Sequence, residues 1–267
     1  MVEPTPPILP SPIVAAATGT GGGSPRPGGR TVNAGRGAAW WGEAWRLFAA
    51  SPWVFIAIAV VFVVLMAALS LLPVLGSIAG TVLAPVFAGG VFIGCRALDR
   101  GGELTMGHLF AGFAERFGPL VIVGLLYLAG TVVVAFVFIA LMFGAVGATG
   151  ISALLTSDPM QAGVAMLATF GMGIVVAGLV AMLLGVPLLM AFWFAPALVV
   201  FHNDEPFAAM KASFGACLAN LLPFLVYGLV GLVLAILASI PLGLGWLVLA
   251  PVSMASIYTS YRDIFED

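Results

Sequence analysis

Four stretches of this chain carry no charged residue: Arg46 to Arg96, Arg116 to Asp158, Asp158 to Asp204 and Lys211 to Arg262. A helix needs about 20 apolar residues to cross the hydrocarbon of a bilayer. Each stretch can therefore cross at least once, and two are long enough for a hairpin. From Trp53 to Leu72, thirteen residues are Leu, Ile, Val or Phe. At roughly −0.3 to −0.6 kcal/mol each, they favour insertion by about 4–8 kcal/mol, and only Ser70 opposes them. The whole chain is 62% hydrophobic and 7% charged, whereas a soluble domain has about 45–50% apolar and about 25% charged residues. There are too few polar groups to coat a surface facing water. A net charge of −2 gives no bulk attraction for nucleic acid or for an acidic ligand.

The fold class predicted is all-α: an integral membrane bundle of six transmembrane helices, arranged as three hairpins, each preceded by an interfacial amphipathic helix. Residues 1–37 stand apart as a cytoplasmic tail. They hold seven Pro and eight Gly and show no apolar period, so no structure is assigned. The start has neither the basic region nor the apolar core of a signal peptide. The transmembrane domain covers 38–267, with spans at about 53–72, 76–95, 119–143, 162–201 with a break near Pro187, 223–240 and 242–259. Before the first hairpin, Trp41, Trp45 and Phe48 recur at helical spacing. Before the second, Met106, Phe110, Phe113 and Phe117 do, and before the third, Phe207, Met210, Phe214 and Cys217. Pro52, Pro119 and Pro223 follow these segments.

Two strings support a repeat. "LAPVFAGGVFIGCR" begins at Leu83 and "LAPVSMASIYTSYR" at Leu249. Both lie in the second span of a unit, and both end on an Arg where that span leaves the membrane. Two-span units keep their orientation, so copies would be related by an axis along the membrane normal. All nine Lys and Arg residues fall on one side of this scheme, and the loops around Pro73, Asp158 and Gly243 have none. Basic residues near spans favour the cytoplasm, which puts both termini there.

The polar side chains carry little chemistry. His202, Asp204 and Glu205 form the densest cluster. A divalent metal would want such ligands, but carboxylates followed by Pro206 read first as a helix start. Cys95 and Cys217 fall at the cytoplasmic end, where thiols stay reduced, and no disulfide is expected. Gly76-x-x-x-Gly80 and Gly90-x-x-x-Gly94 suit close helix packing. No Asp, Glu, Lys, Arg or His lies inside any span, whereas ion-coupled transporters commonly place such a group there. No Ser-His-Asp set, phosphate loop or zinc-protease motif is visible, so no catalytic residue, metal or cofactor is assigned.

Trp41, Trp45, Arg46, Trp53, Arg96, Tyr261 and Arg262 are the candidate interfacial lipid contacts. Amphipathic rings settle at the headgroup level, and arginines there meet anionic lipid. Membrane lipids are the expected partners, with a membrane protein as a second kind of partner and no nucleic acid. The expected role is a non-catalytic lipid- or partner-binding membrane protein. A channel or transporter for an uncharged or lipidic substrate is the alternative, and an enzyme ranks last.

Trp41, Trp45, Ser51-Pro52-Trp53, Leu83-Ala84-Pro85 and Tyr258-x-x-Tyr261-Arg262-Asp263 together resemble a family of proteobacterial polytopic inner-membrane proteins of unknown function. The resemblance runs from about Ala38 to the C-terminus. More distantly, the chain is similar to membrane portions fused to some glycerophosphodiester phosphodiesterases. The resemblance implies a multi-pass protein of the bacterial inner membrane and supplies no catalytic residues.

Overall fold

The computed structural model describes residues 29–155 and 158–266. Among them every regular element is a helix, and no strand occurs. The helices are α1 (Arg36–Ala50), α2 (Pro52–Ser70), α3 (Pro73–Asp99), a 3-10 turn (Met106–Phe110) leading into the short α4 (Ala111–Glu115), α5 (Phe117–Leu155), α6 (Pro159–Trp193), the short α7 (Ala195–Phe201), α8 (Pro206–Ala219), α9 (Leu221–Ser239) and α10 (Trp246–Phe265). Proline sets several of the starts. Pro52, Pro73, Pro159 and Pro206 open α2, α3, α6 and α8, because the first turn has no use for the N–H that proline lacks. Asp158 caps α6 by accepting the Met160 N–H at 2.8 Å.

Among the described residues, five helices are long and apolar enough to cross a membrane: α2, α3, α5, α9, and α6 continued by α7. The helix α10 is of similar length but falls outside this group. Its second half carries Thr259, Ser260, Arg262 and Asp263. Large apolar side chains point outward along the five: Val63, Phe136, Leu183 and Leu229 are all more than half exposed.

Most of the buried core lies at one end of the bundle. It is built from α1, the first turns of α2, α5 and α9, the later turns of α3 and α10, and the short α7 and α8. Trp40, Phe55, Val86, Val91, Leu120, Phe194 and Tyr258 are almost fully enclosed there. Gly112 allows the close approach of α4 to α3, since a Cβ at Gly112 would collide with the carbonyl of Val86. Gly90 faces the carbonyls of His108 and Leu109 in the same way.

The structure differs from the sequence expectation at three places. First, residues 29–37, assigned to the tail by composition, are held in place. The Arg30 N–H donates to the Ile264 carbonyl at 2.9 Å, and the Val32 N–H donates to Asn220 Oδ1 at 2.8 Å. Residues 1–28 of the tail lie outside the described residues. Second, the break in the long fourth span is not at Pro187. Helix α6 runs through Pro187 and stops at Trp193. The cause is Ser213 on α8. Its Oγ accepts the Phe194 N–H at 2.9 Å and donates to the Met190 carbonyl at 2.6 Å. These are the two groups that the next helical bond would join, so the hydroxyl replaces that bond and the helix bends. Third, α5 does not end near residue 143 but continues to Leu155, 39 residues in all.

Candidate functional site

The polar chemistry collects at the end where the core lies, and Asp263 is its hub. Its side chain is 3% exposed. It accepts from Arg30 Nη2 at 2.7 Å, from Trp40 Nε1 at 2.7 Å and from Arg36 Nε. Burial alone would raise the Asp263 pKa, but the bonds from Trp40, Arg36 and Arg30 outweigh it and hold the carboxyl below the usual carboxylate range. Arg36 also reaches Glu43 at 2.8 Å, so the strap formed by residues 29–33, α1 and the end of α10 make one connected network.

A second set of ion pairs joins α3 to α10. Arg96 of α3 meets Glu266 at 2.8 Å. Arg262 of α10 meets Asp99 of α3, with 2.7 Å to each carboxylate oxygen, and Glu43 at 3.0 Å. The two arginines that close the Leu-Ala-Pro-Val strings thus sit across from one another, each paired with an acid of the other helix. Arg96 also lies 4.2 Å above the Phe201 ring.

Aromatic rings seal the space beneath. Trp41 stacks on Tyr227 at 4.9 Å between centroids and donates its indole N–H to the Tyr227 carbonyl at 3.0 Å. The Tyr227 hydroxyl meets Ser256 Oγ at 2.8 Å. Trp40 leans on Phe224 at 5.5 Å. Asn220, buried where α8 passes into α9, bonds the strap on both sides, since its amide also donates to the Arg30 carbonyl at 3.0 Å.

The seven residues singled out as lipid contacts divide into three groups. Trp45 and Trp53 are 52% and 82% exposed, and Arg46 is exposed beside them. Arg96 and Arg262 are partly exposed and engaged in the ion pairs above. Trp41 and Tyr261 are buried, at 8% and 0%. In this structure their rings face protein: α1 lays its Trp40–Trp41–Ala44–Phe48 side against the bundle, and Tyr261 packs on Phe201 and Phe265. The aromatic stripe ahead of the second hairpin is turned the other way. Met106, Phe110, Phe113 and Phe117 are each more than a third exposed, while Leu109 is enclosed. Composition offered no sign of Asn220 or Ser213 as key groups. Each is a single polar residue in an apolar stretch, and its partners lie far along the chain.

Among the described residues, cavities open at this end. One of about 200 Å³ is apolar, lined by α6 (Val186, Met190, Trp193) and by the α8–α9 junction (Cys217, Leu221, Phe224). One of about 460 Å³ is polar, lined by Arg30, Thr31, Val32, Asn33, Arg36 and Asp263. One of about 320 Å³ lies among Glu43, Arg46, Leu98, Asp99 and Arg262. Among the described residues no three metal-ligating side chains come together. His202 instead sits edge-on to the Tyr261 ring at 5.9 Å. Both cysteines are free thiols and buried.

No family model matches the chain, and no solved structure matches it. One curated protein does: a "Probable inner membrane protein" of Burkholderia thailandensis, 31% identical over 254 residues that cover 88% of this chain and 92% of the relative. The match covers most of both chains. The chain belongs to this family of inner membrane proteins.

Proposed function

We propose that this protein is a non-catalytic, lipid-binding component of the bacterial inner membrane. It crosses the bilayer six times, α10 included, as three hairpins with both termini in the cytoplasm. The observation that carries the reading is the pair of outward tryptophans, Trp45 and Trp53, flanking the exposed Arg46 at the ion-paired end. Exposed indole rings and a guanidinium match the chemistry of the headgroup region, where rings partition and cations meet anionic lipid. The six-crossing layout draws on the one-sided distribution of Lys and Arg in the sequence and on the pairing of Arg96 and Arg262 with acids of the opposite helix.

The test is lipid retention. Protein extracted gently from bacterial membranes should carry bound phospholipid in native mass spectrometry. The combined change of Trp45→Ala, Trp53→Ala and Arg46→Gln should lower that retention several-fold without unfolding the bundle. Flux of ions or small solutes through reconstituted vesicles, with no lipid retained, would overturn the reading in favour of a channel or transporter.

A further inference from the structure

The apolar and polar cavities adjoin the same short piece of chain. Cys217, Leu221 and Phe224 of the α8–α9 junction form one wall of the apolar groove. Asn220, in the middle of that wall, bonds the strap through Arg30 and Val32, and these two residues line the polar cavity. A second link runs through the rings: Phe224 packs on Trp40, and Trp40 donates to Asp263, which also lines the polar cavity. The groove is open on the outer side of the bundle, where Val186, Leu221 and Leu225 are 44%, 49% and 67% exposed.

The chemistry of the two cavities is complementary in the manner of an amphiphile. The groove is apolar but smaller than the roughly 300–1,000 Å³ of a pocket that encloses a whole ligand. It therefore suits part of an acyl chain whose remainder stays in the bilayer. In its wall, Trp193 Nε1 is buried with no hydrogen-bond partner, and an ester carbonyl is the kind of acceptor such a donor lacks. The polar cavity is lined by two guanidiniums against one carboxylate, with Thr31 and Asn33 adding a hydroxyl and an amide. Glu43 offsets part of this charge from the far side of Arg36, but it does not line the cavity. Each arginine already donates from Nε and Nη2 to internal acceptors, and the guanidinium hydrogens that remain suit phosphate oxygens.

We infer that the groove between α6 and the α8–α9 junction, together with the cavity under Arg30 and Arg36, forms one site for an anionic phospholipid, with the acyl chain in the groove and the phosphate at the arginines. The inference rests on the lipid-binding reading above and names a site distinct from the Trp45–Trp53 belt. Binding to the full-length protein in detergent would be measured by native mass spectrometry and thermal shift. The probes are phosphatidylglycerol, phosphatidylcholine, diacylglycerol and inorganic phosphate. Phosphatidylglycerol should bind about tenfold more tightly than phosphatidylcholine or diacylglycerol, and inorganic phosphate should give no comparable stabilisation. Leu225→Trp and Val186→Trp, outward positions whose enlargement fills the groove, should weaken phosphatidylglycerol about tenfold, as should Arg30→Gln. If phosphatidylglycerol still binds the groove-filled variants at full strength, and only the Trp45/Trp53/Arg46 changes weaken it, this site is overturned while lipid binding stands. If inorganic phosphate stabilises as much as the lipid does, the cavity binds free phosphate and the site as stated is overturned. If no lipid is retained at all, both readings fall.

Discussion

Around Asp263 three donors converge on one enclosed carboxylate, tying the strap and α1 to the end of α10. At the far end of the α5–α6 hairpin, Phe143, Leu155 and Met160 are each more than 70% exposed, and Gly144, Gly147 and Gly163 face open space. The first region has its own interior and pairs most of its polar groups, with Arg96 Nε and Trp193 Nε1 as buried exceptions. The second has almost no interior, and of α6 only Ala177 is buried. Its stability must come from a surrounding apolar medium and from the intrahelical bonds that such a medium makes obligatory. Helix α5, at 39 residues, is about 58 Å long against about 30 Å of hydrocarbon. Even a tilt of about 40° leaves it longer than the membrane interior. Specific side-chain pairing thus defines one end of this protein, and hydropathy defines the other.

Substitutions at the ion-paired end should have the largest effect. Asp263→Ala leaves Arg30, Arg36 and Trp40 without their common acceptor. Removing one partner of an enclosed pair costs about 3–5 kcal/mol, moderated here because both arginines are partly exposed. The expected outcome is a fall in thermal midpoint of detergent-solubilised protein by many degrees. Acid should act on the same group. The folded-state pKa of Asp263 lies below its ordinary value, so its contribution is complete above about pH 4 and is lost as pH falls through the lowered value. Melting followed by circular dichroism should show a flat midpoint from pH 7 to 5 and a decline below pH 4. That decline should be absent in Asp263→Asn.

Gly112→Ala comes next. Its methyl would meet the Val86 carbonyl, and such overpacking costs about 1–3 kcal/mol. Gly147→Ala, where nothing stands within 4 Å, should be neutral or slightly stabilising. The smallest effect is expected for Phe143→Ala, within about 0.5 kcal/mol in lipid. If Phe143→Ala proves as damaging as Asp263→Ala, the contrast between the two ends is wrong.

Much of this contrast could be read before any coordinates. The uncharged runs placed the long helices, and Pro206 read as a helix start through local chemistry alone, whereas Pro73, expected in a turn, opens α3. The charged residues after Cys95 and Tyr258 marked the polar end. What escaped was set by residues distant in sequence. Trp41–Trp45–Phe48 and Trp40–Ala44–Phe48 are equally periodic. Tyr227 and Asp263, about two hundred positions away, decide which row turns inward. Pro187 looked like the breaker of α6, but a lone serine on another helix moved the break to Phe194. The strap at 29–33 has no pattern of its own and is held by Asn220 and the end of α10.

Accessibility labelling is the most direct test of six crossings with the ion-paired end inside the cell. Single cysteines at Gly243, in the α9–α10 turn, and at Arg100, just past α3, would be exposed in intact cells to a thiol reagent that cannot cross the inner membrane. The account predicts that Gly243→Cys reacts at once and that Arg100→Cys reacts only after the inner membrane is opened. Reaction of Arg100→Cys in intact cells with Gly243→Cys protected would contradict it.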